Sequence, residues 1–388
     1  MIQPNIKDAF FLEKGCAYLN QGGFGTCPKE VVETRCNILR EIEHAPDMYY
    51  ASSFQKGRQI WRDVAHQTAQ RFGAEGKDVA IVQNATDGVN AVLRSLTFKP
   101  GDEILVTSYV YGALHMAAKR IVEPQGCKVT LIPLSFPHPC PEECVAALDR
   151  AITQNTKLAL LDHVTSATAL VLPIKEMVQL CRKRGVLSLV DGAQAPGNVS
   201  LNLQDIGADW YVGNMHKWYF APRGCGFLWA APDKQKGLVS TILSWEVEKP
   251  FPDSFEWTGT NDQSPWMSVP AAYAFMDHFG EAKVREHNHA LIREGLKIVE
   301  DAWGFKNETP DSMIGSAVIV PLPESTPYPL TDKGREACQN DLWLKHRVMT
   351  SVPLIAQNRM WLRFMAQIYN ERRDYERLAS VVLSLKNG

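Results

Sequence analysis

The chain has 388 residues, with 41 Lys and Arg against 43 Asp and Glu, and a formal net charge of -2. That length suits one large core or two domains of ordinary size, and 45% hydrophobic with 22% charged residues is an ordinary globular balance. The near-neutral charge argues against nucleic acid as the main partner, and no apolar run approaches the roughly 20 residues of a membrane helix.

The N-terminal stretch "MIQPNIKDAFFLEKG" lacks the basic start and apolar stretch of a secretory signal. From about residue 79 short apolar runs alternate with amphipathic stretches. The apolar runs are "VAIVQN", "EILVTS", "CKVTLIPL", "LALLDHV", "VLSLVDGA", "WYVGN" and "GFLWA". Between several of them lie helical patterns: "DGVNAVLRSL", "GALHMAAKRIV", "ECVAALDRAI" and "IKEMVQLCRKRG". This alternation predicts an α/β fold, a mostly parallel sheet with helices on both faces, and such sheets bind ligands beyond the carboxyl ends of their strands. Within this region "CPEEC" (Cys140, Cys144) has no second pair, so the nine cysteines predict no metal centre. They fit a soluble, reduced, cytoplasmic protein instead. After about residue 264 the pattern is almost wholly helical, with a break near Gly280, then "SAVIVPL", a Pro-rich loop through 321–330 and a closing helix in "RRDYERLASVVLSL". That reads as a smaller α+β C-terminal domain. His287 and His289 lie two apart and would point to different sides of a helix, which argues against a metal site there as well. The resulting division is an N-terminal segment over 1–30, a large domain over 31–264 and a small domain over 265–388.

Three features carry chemistry. Asp191 ends the apolar run "VLSLV", which places a carboxylate at the carboxyl end of a buried strand. Lys217 follows the run "DWYVGN" and sits among aromatic residues in "VGNMHKWYF", an unusual setting for an ammonium group. Two opposite charges at neighbouring strand ends form either a buried ion pair or the two poles of a pyridoxal phosphate site. That cofactor needs a lysine for its aldehyde and an acid for its ring nitrogen. The third feature, "QNATDGVNAVL", reads as strand, tight turn and helix. Backbone N–H groups at Ala85, Thr86 and Asp87, with the Thr86 hydroxyl, would face an anion there. An ordinary N-cap at Thr86 or Asp87 is the plainer alternative.

The ordered set "NATDG", "YVYGA", "HVTSATALVLPI", "VDGAQAPG", "GNMHKWYFAPRGCGF", "WTGTND" and "LRFMAQIYN" resembles the class V aminotransferase superfamily. These are fold-type I pyridoxal-phosphate enzymes that include the cysteine desulfurases. Within the group, "TGTND" and "AQIYN" look most like isopenicillin N epimerase-like proteins. The resemblance implies a large cofactor-binding domain and pyridoxal 5'-phosphate held covalently by Lys217. Asp191 would serve the pyridine nitrogen and Gln194 the ring hydroxyl, with Tyr111 stacked on the ring. Ala85, Thr86, Asn214 and His216 would hold the phosphate. Thr260 would reach the phosphate of a second subunit, which implies a homodimer with active sites at the subunit interface. Arg363 would grip the substrate carboxylate, with Arg359 competing for that role, and Asn20, Gly22, Gly23 and Ser166 would line the substrate pocket. Desulfurases carry a mobile cysteine before the carboxylate arginine; here none follows Cys338, which argues against sulfur transfer through an enzyme persulfide. The implied activity is removal of the Cα proton from an amino acid or aminoacyl compound, epimerase-like. A β-eliminating C–S lyase acting on a cysteine conjugate or its sulfoxide, and an aminotransferase, are the alternatives.

Overall fold

Strands buried on both faces read as unbroken apolar runs, and all seven runs form one sheet in the computed structural model, which describes residues 6–54, 56–353 and 359–385. The strands of the chain are β1 (Ala17–Tyr18), β2 (Val79–Val82), β3 (Glu103–Thr107), β4 (Lys128–Ile132), β5 (Thr156–Asp162), β6 (Leu187–Gly192), β7 (Trp210–Asn214), β8 (Gly226–Ala230), β9 (Ala317–Pro321), β10 (Val348–Met349) and β11 (Trp361–Met365). The large sheet has the order β2-β8-β7-β6-β5-β3-β4. Within it β8 runs antiparallel to both neighbours, and the remaining pairs are parallel.

Successive strand residues face opposite ways, so the sheet builds two cores. Leu105, Leu161, Val190, Tyr211 and Phe227 pack on one face with Phe72, Met177 and Tyr273. Ile104, Leu160, Leu189, Val212 and Leu228 pack on the other with Val89, Val92 and Leu114. The helices Ala85–Ser95 and Gly112–Val122 cover this second face. Two long helices that the sequence pattern did not separate, Lys29–His44 and Lys56–Arg71, add Val31, Trp61, Val64 and Ala65 to the first core.

Toward the C-terminus, Gly280 at φ +82° divides helix Val269–Phe279 from helix Glu281–Trp303. The first of these packs through Val269, Ala272, Tyr273 and Met276 on the large sheet. The second passes from that core, through Val284, to a separate one that holds Leu291, Ile292 and Val299. This separate core closes over β9 and β11, an antiparallel pair in which Arg363 lies opposite Ile319. The N-terminal segment also joins it: β1 pairs in parallel with β10, and Ala17 and Leu19 are buried there. The chain then turns through residues 20–25 onto the carboxyl edge of the large sheet. Gly25, at φ +73°, makes that approach possible, since a Cβ there would lie 1.7 Å from the His216 carbonyl oxygen.

Four parallel strands end in polar residues at this edge: Thr107 on β3, Asp162 on β5, Asp191 near the end of β6 and Asn214 on β7. Gly192, beside Asp191, has no room for a side chain, because a Cβ would sit 2.2 Å from the Tyr211 ring. Gly192→Ala therefore has to push a fully buried tyrosine aside. Overpacking of this kind costs about 1–3 kcal/mol, and we expect a lower thermal midpoint in a calorimetric scan, together with weaker cofactor retention because Asp191 shifts with the strand.

Candidate active site

A cavity of about 500 Å³ opens at the carboxyl edge of the large sheet, and its walls include Thr86, Tyr111, Ser166, Asp191, His216 and Lys217. They come from the ends of five strands or the loops that follow them, His216 and Lys217 both following β7. Ala85, Gln194, Asn214 and Gly23 also line it. Arg363, from the middle of β11, borders an adjoining recess with Ser166 and Gln194.

Lys217 lies on the short helical turn Met215–Trp218 that follows β7. Burial pushes its ammonium down to about 8, against the opposing pull of Asp191, and Arg363 lowers it further. The neutral amine, the form that attacks a carbonyl, is thus available near neutral pH. Asp191 is raised above the usual carboxylate range by burial, while the Ala193 N–H and Lys217 pull it back toward ionisation. That N–H donates to Asp191 Oδ1 at 2.9 Å and fixes the carboxyl group.

Helix Ala85–Ser95 begins at the cavity. Its actual N-cap is Asn84, whose side chain accepts the Asp87 N–H at 3.0 Å. The Ala85 N–H donates to Asn214 Oδ1 at 2.8 Å. Two of the three amides expected to face an anion are therefore already engaged, and Asn214 ties the end of β7 to the helix start. Thr86 is left, in the first turn, where the helix itself offers its N–H no acceptor. His216 lines the same cavity. Burial lowers its imidazole to about 4, with Lys217 and Arg223 adding to the effect, and its buried Nδ1 has no hydrogen-bond partner among the described residues. A neutral imidazole with an unpaired nitrogen, a helix start and the Thr86 hydroxyl together suit a phosphate.

Gln194 is more committed than the sequence suggested. Its Oε1 accepts the Trp218 indole N–H at 2.8 Å, and its Nε2 donates to the Gly22 carbonyl at 2.7 Å, which leaves one amide hydrogen for a ring hydroxyl. Gly22 is pressed against it, since a Cβ would come within 2.6 Å of Gln194 Oε1. Tyr111 caps the start of helix Gly112–Val122 and is 45% exposed at the mouth.

Arg363 is buried, and burial alone lowers its guanidinium to about 10. It donates to the Ser166 carbonyl and, at 3.4 Å, to Asn20 Oδ1, while its Nε has no partner among the described residues. A dry guanidinium with no carboxylate paired to it among the described residues calls for an anionic guest. Arg359 instead spends its guanidinium on the Leu322 carbonyl. Thr260 does not line this chain's cavity; it is exposed on the loop that follows Trp257. Sequence reasoning missed Arg223, which lines the cavity and bonds the Gly25 carbonyl at 3.2 Å, although it lies inside the motif "FAPRGCG". It also missed Asp162, although "LLDHV" has the same apolar-run-then-Asp form as "LVDGA".

This donor set fits pyridoxal phosphate: an anion seat at Thr86 and His216, a carboxyl at Asp191, and a lysine of lowered basicity between them. Comparison with known proteins points the same way. The family model described as Aminotransferase class-V matches residues 17–323. Isopenicillin N epimerase from Amycolatopsis lactamdurans is 30% identical, with 98% of each chain covered. L-cysteine desulfhydrase from Arabidopsis thaliana is 27% identical over 96% of this chain and 88% of that protein. Among solved structures, C-DES with glycine covalently linked to its PLP cofactor superposes with a TM-score of 0.81 at 20% identity, covering 95% of this chain and 96% of that one.

The lowered basicity of Lys217 has a direct consequence. A lysine whose protonated form is destabilised by burial becomes nucleophilic at lower pH than a free amine, whose reference lies about 10.4. Covalent attachment of added pyridoxal phosphate to the cofactor-free protein, followed by visible absorbance, should accelerate with pH and reach half its maximal rate near pH 8. Lys217→Ala should leave no cofactor attached after borohydride reduction.

Proposed function

Because the chain belongs to the class V aminotransferase family and uses pyridoxal phosphate, we propose that it removes the Cα proton of an amino acid or aminoacyl substrate and expels a β-substituent, as a C–S lyase does. Lys217 carries this reading: among the described residues lining the cavity it is the one lysine, and Asp191 and Arg363 act on its charge from within the site in opposite senses. The cofactor, when bound, supplies an aldehyde that joins the substrate amine and a ring that takes up the electrons released at Cα. Arg363 binds the substrate carboxylate and so fixes which bond at Cα faces Lys217. Asp191 keeps a proton on the ring nitrogen by holding a negative charge against it. Lys217, as the neutral amine, would take the Cα proton and return one to the leaving sulfur.

The described residues lining the cavity include no cysteine, so the sulfur leaves with the product rather than on the protein. The cystine C–S lyase C-DES, a neighbour in fold with a TM-score of 0.80, is named for that class of reaction. Epimerisation is the second reading, supported by the likeness to isopenicillin N epimerases. It requires a proton donor on the face opposite Lys217, and Tyr111, which lines the same cavity, is the candidate for that task. The outcomes separate in deuterium oxide with cysteine conjugates and plain amino acids as substrates. Pyruvate and ammonia from a cysteine conjugate support elimination. Deuterium at an inverted Cα supports epimerisation in its place. A keto acid formed only as the cofactor converts to its amine form overturns both.

We further propose that the working unit is a homodimer in a reducing, cytoplasmic setting. All nine cysteines are unpaired, and no helix among the described residues is long and apolar enough to cross a membrane. Ile242, Leu243 and Trp245 are exposed, Trp245 at 90%. They lie just ahead in sequence of the Thr260 loop, and Trp245 shares a cavity with Trp257. A second copy covering this face would bring Thr260 to its neighbour's phosphate seat. Mixing an inactive Thr260→Ala protein with an inactive Lys217→Ala protein should restore part of the activity, since hybrid dimers then hold one intact site. Full activity in a monomer, measured by light scattering at assay concentration, would rule the arrangement out.

A further inference from the structure

The carboxyl edge of the large sheet holds a second buried acid. Asp162 ends β5, and it lies in register with Asp191 on the neighbouring parallel strand β6. Paired positions on adjacent parallel strands face the same side of the sheet, so the two carboxyl groups stand side by side. Asp162 is 2% exposed and Asp191 7%. On its other flank Asp162 accepts the Thr107 hydroxyl at 2.7 Å. The backbone amide of Tyr111 lies near enough to favour the charged form of Asp162. Thr107 and Tyr111 bracket the loop between β3 and helix Gly112–Val122, which presents the Tyr111 ring at the cavity mouth.

We propose that Asp162 is a positioning residue of this site: it sets the charge state of Asp191 and the placement of Tyr111. The inference rests on the reading of Asp191 as the acid that serves the ring nitrogen. Two adjacent buried carboxyl groups do not both ionise at neutral pH, because each desolvated charge raises the cost of the other. Asp191 has the Ala193 N–H and the Lys217 ammonium on its side. Asp162 has the neutral Thr107 hydroxyl and the Tyr111 amide, and its carboxyl is pushed up to about 8 by burial and by the Asp191 charge. Of the neighbouring groups, His163 turns to Tyr211, with Nδ1 2.7 Å from the phenol oxygen, and burial keeps its imidazole low, at about 4. The proton of the pair therefore resides on Asp162, and Asp191 is the carboxylate. The same carboxyl group anchors the loop that carries Tyr111, so the face of the ring and the charge at its nitrogen are set by one residue that touches neither.

The sign of the pH effect follows. A carboxyl group that ionises near pH 4 in the unfolded chain and near pH 8 in the folded one contributes stability that is complete below about pH 4 and is lost as pH rises toward 8. Asp162→Asn keeps an acceptor for Thr107 and Tyr111 and cannot ionise. In the cofactor-free protein its thermal midpoint should gain on that of the unaltered protein steadily from pH 5 to 8 and stop gaining above. A constant offset across that range overturns the inference. Asp162→Ala, which removes the anchor, should weaken pyridoxal phosphate binding roughly tenfold and widen the near-ultraviolet difference between bound and free protein, with Asp162→Asn close to the unaltered protein. Equal binding by all three overturns the placement of Tyr111. Asp191→Asn provides the control. If Asp191→Asn leaves the visible band and turnover unchanged, the reading of Asp191 fails; if it alters them while Asp162→Ala binds the cofactor as the unaltered protein does, the inference about Asp162 falls alone.

Discussion

Desolvation of charge at one edge of the large sheet is the constraint on which the site depends. Lys217, Asp191 and Arg363 are all held in dry surroundings, and each is shifted away from its charged form by that burial. A surface lysine at neutral pH is a spectator, because nearly every copy carries a proton. The same side chain, on the wall of the cavity with residues 20–25 packed against its backbone, gives up its proton more readily. Burial also makes Arg363 costly in the absence of a carboxylate. The substrate's own charge offsets that cost, which links recognition of an amino acid to the condition that makes the lysine reactive.

Much of this was legible in the amino-acid sequence, for a physical reason. Parallel strands buried on both faces have to be continuously apolar, so "LSLVDG" and "WYVGN" declare themselves as strands and place Asp191 and Asn214 at their carboxyl ends. The helices Lys29–His44 and Lys56–Arg71 were not legible in the same way. Lys29–His44 buries only Val31 and Ile42, and the buried stripe of Lys56–Arg71, though regular, includes Gly57, Thr68 and small alanines beside Trp61 and Val64, so neither shows a strong apolar pattern in sequence. Hydrogen-bond allocation was beyond reach as well. Nothing in "NATDG" shows that Asn214, far along the chain, takes the Ala85 amide, or that Gln194 divides itself between Gly22 and Trp218. Such allocation depends on which strand ends meet, and that is fixed by the order of strands in the sheet.

Asp162 and Asp191 show how sheet register turns a repeated local pattern into a relation. Each is an aspartate after an apolar run, and each alone would pass for a turn residue. Set side by side on parallel strands, their difference comes from their neighbours: an amide and a lysine for one, a hydroxyl and a loop for the other. A shift of β5 by one residue would turn Asp162 to the opposite face of the sheet and leave Asp191 without a neighbouring acid.

The parallel pairing of β1 with β10 has a bearing on how the protein comes into being. The turn that closes over Lys217 is held by a strand made before the large sheet, and its partner, Val348–Met349, is made only after that sheet is complete. Until then residues 20–25 have no anchor in the C-terminal core, and the lysine turn stays open to water. A nascent chain with its large sheet already folded would therefore carry an unshielded, ordinary lysine. Shielding of Lys217 therefore depends on a pairing between segments more than 300 residues apart, one on each side of the large sheet in sequence.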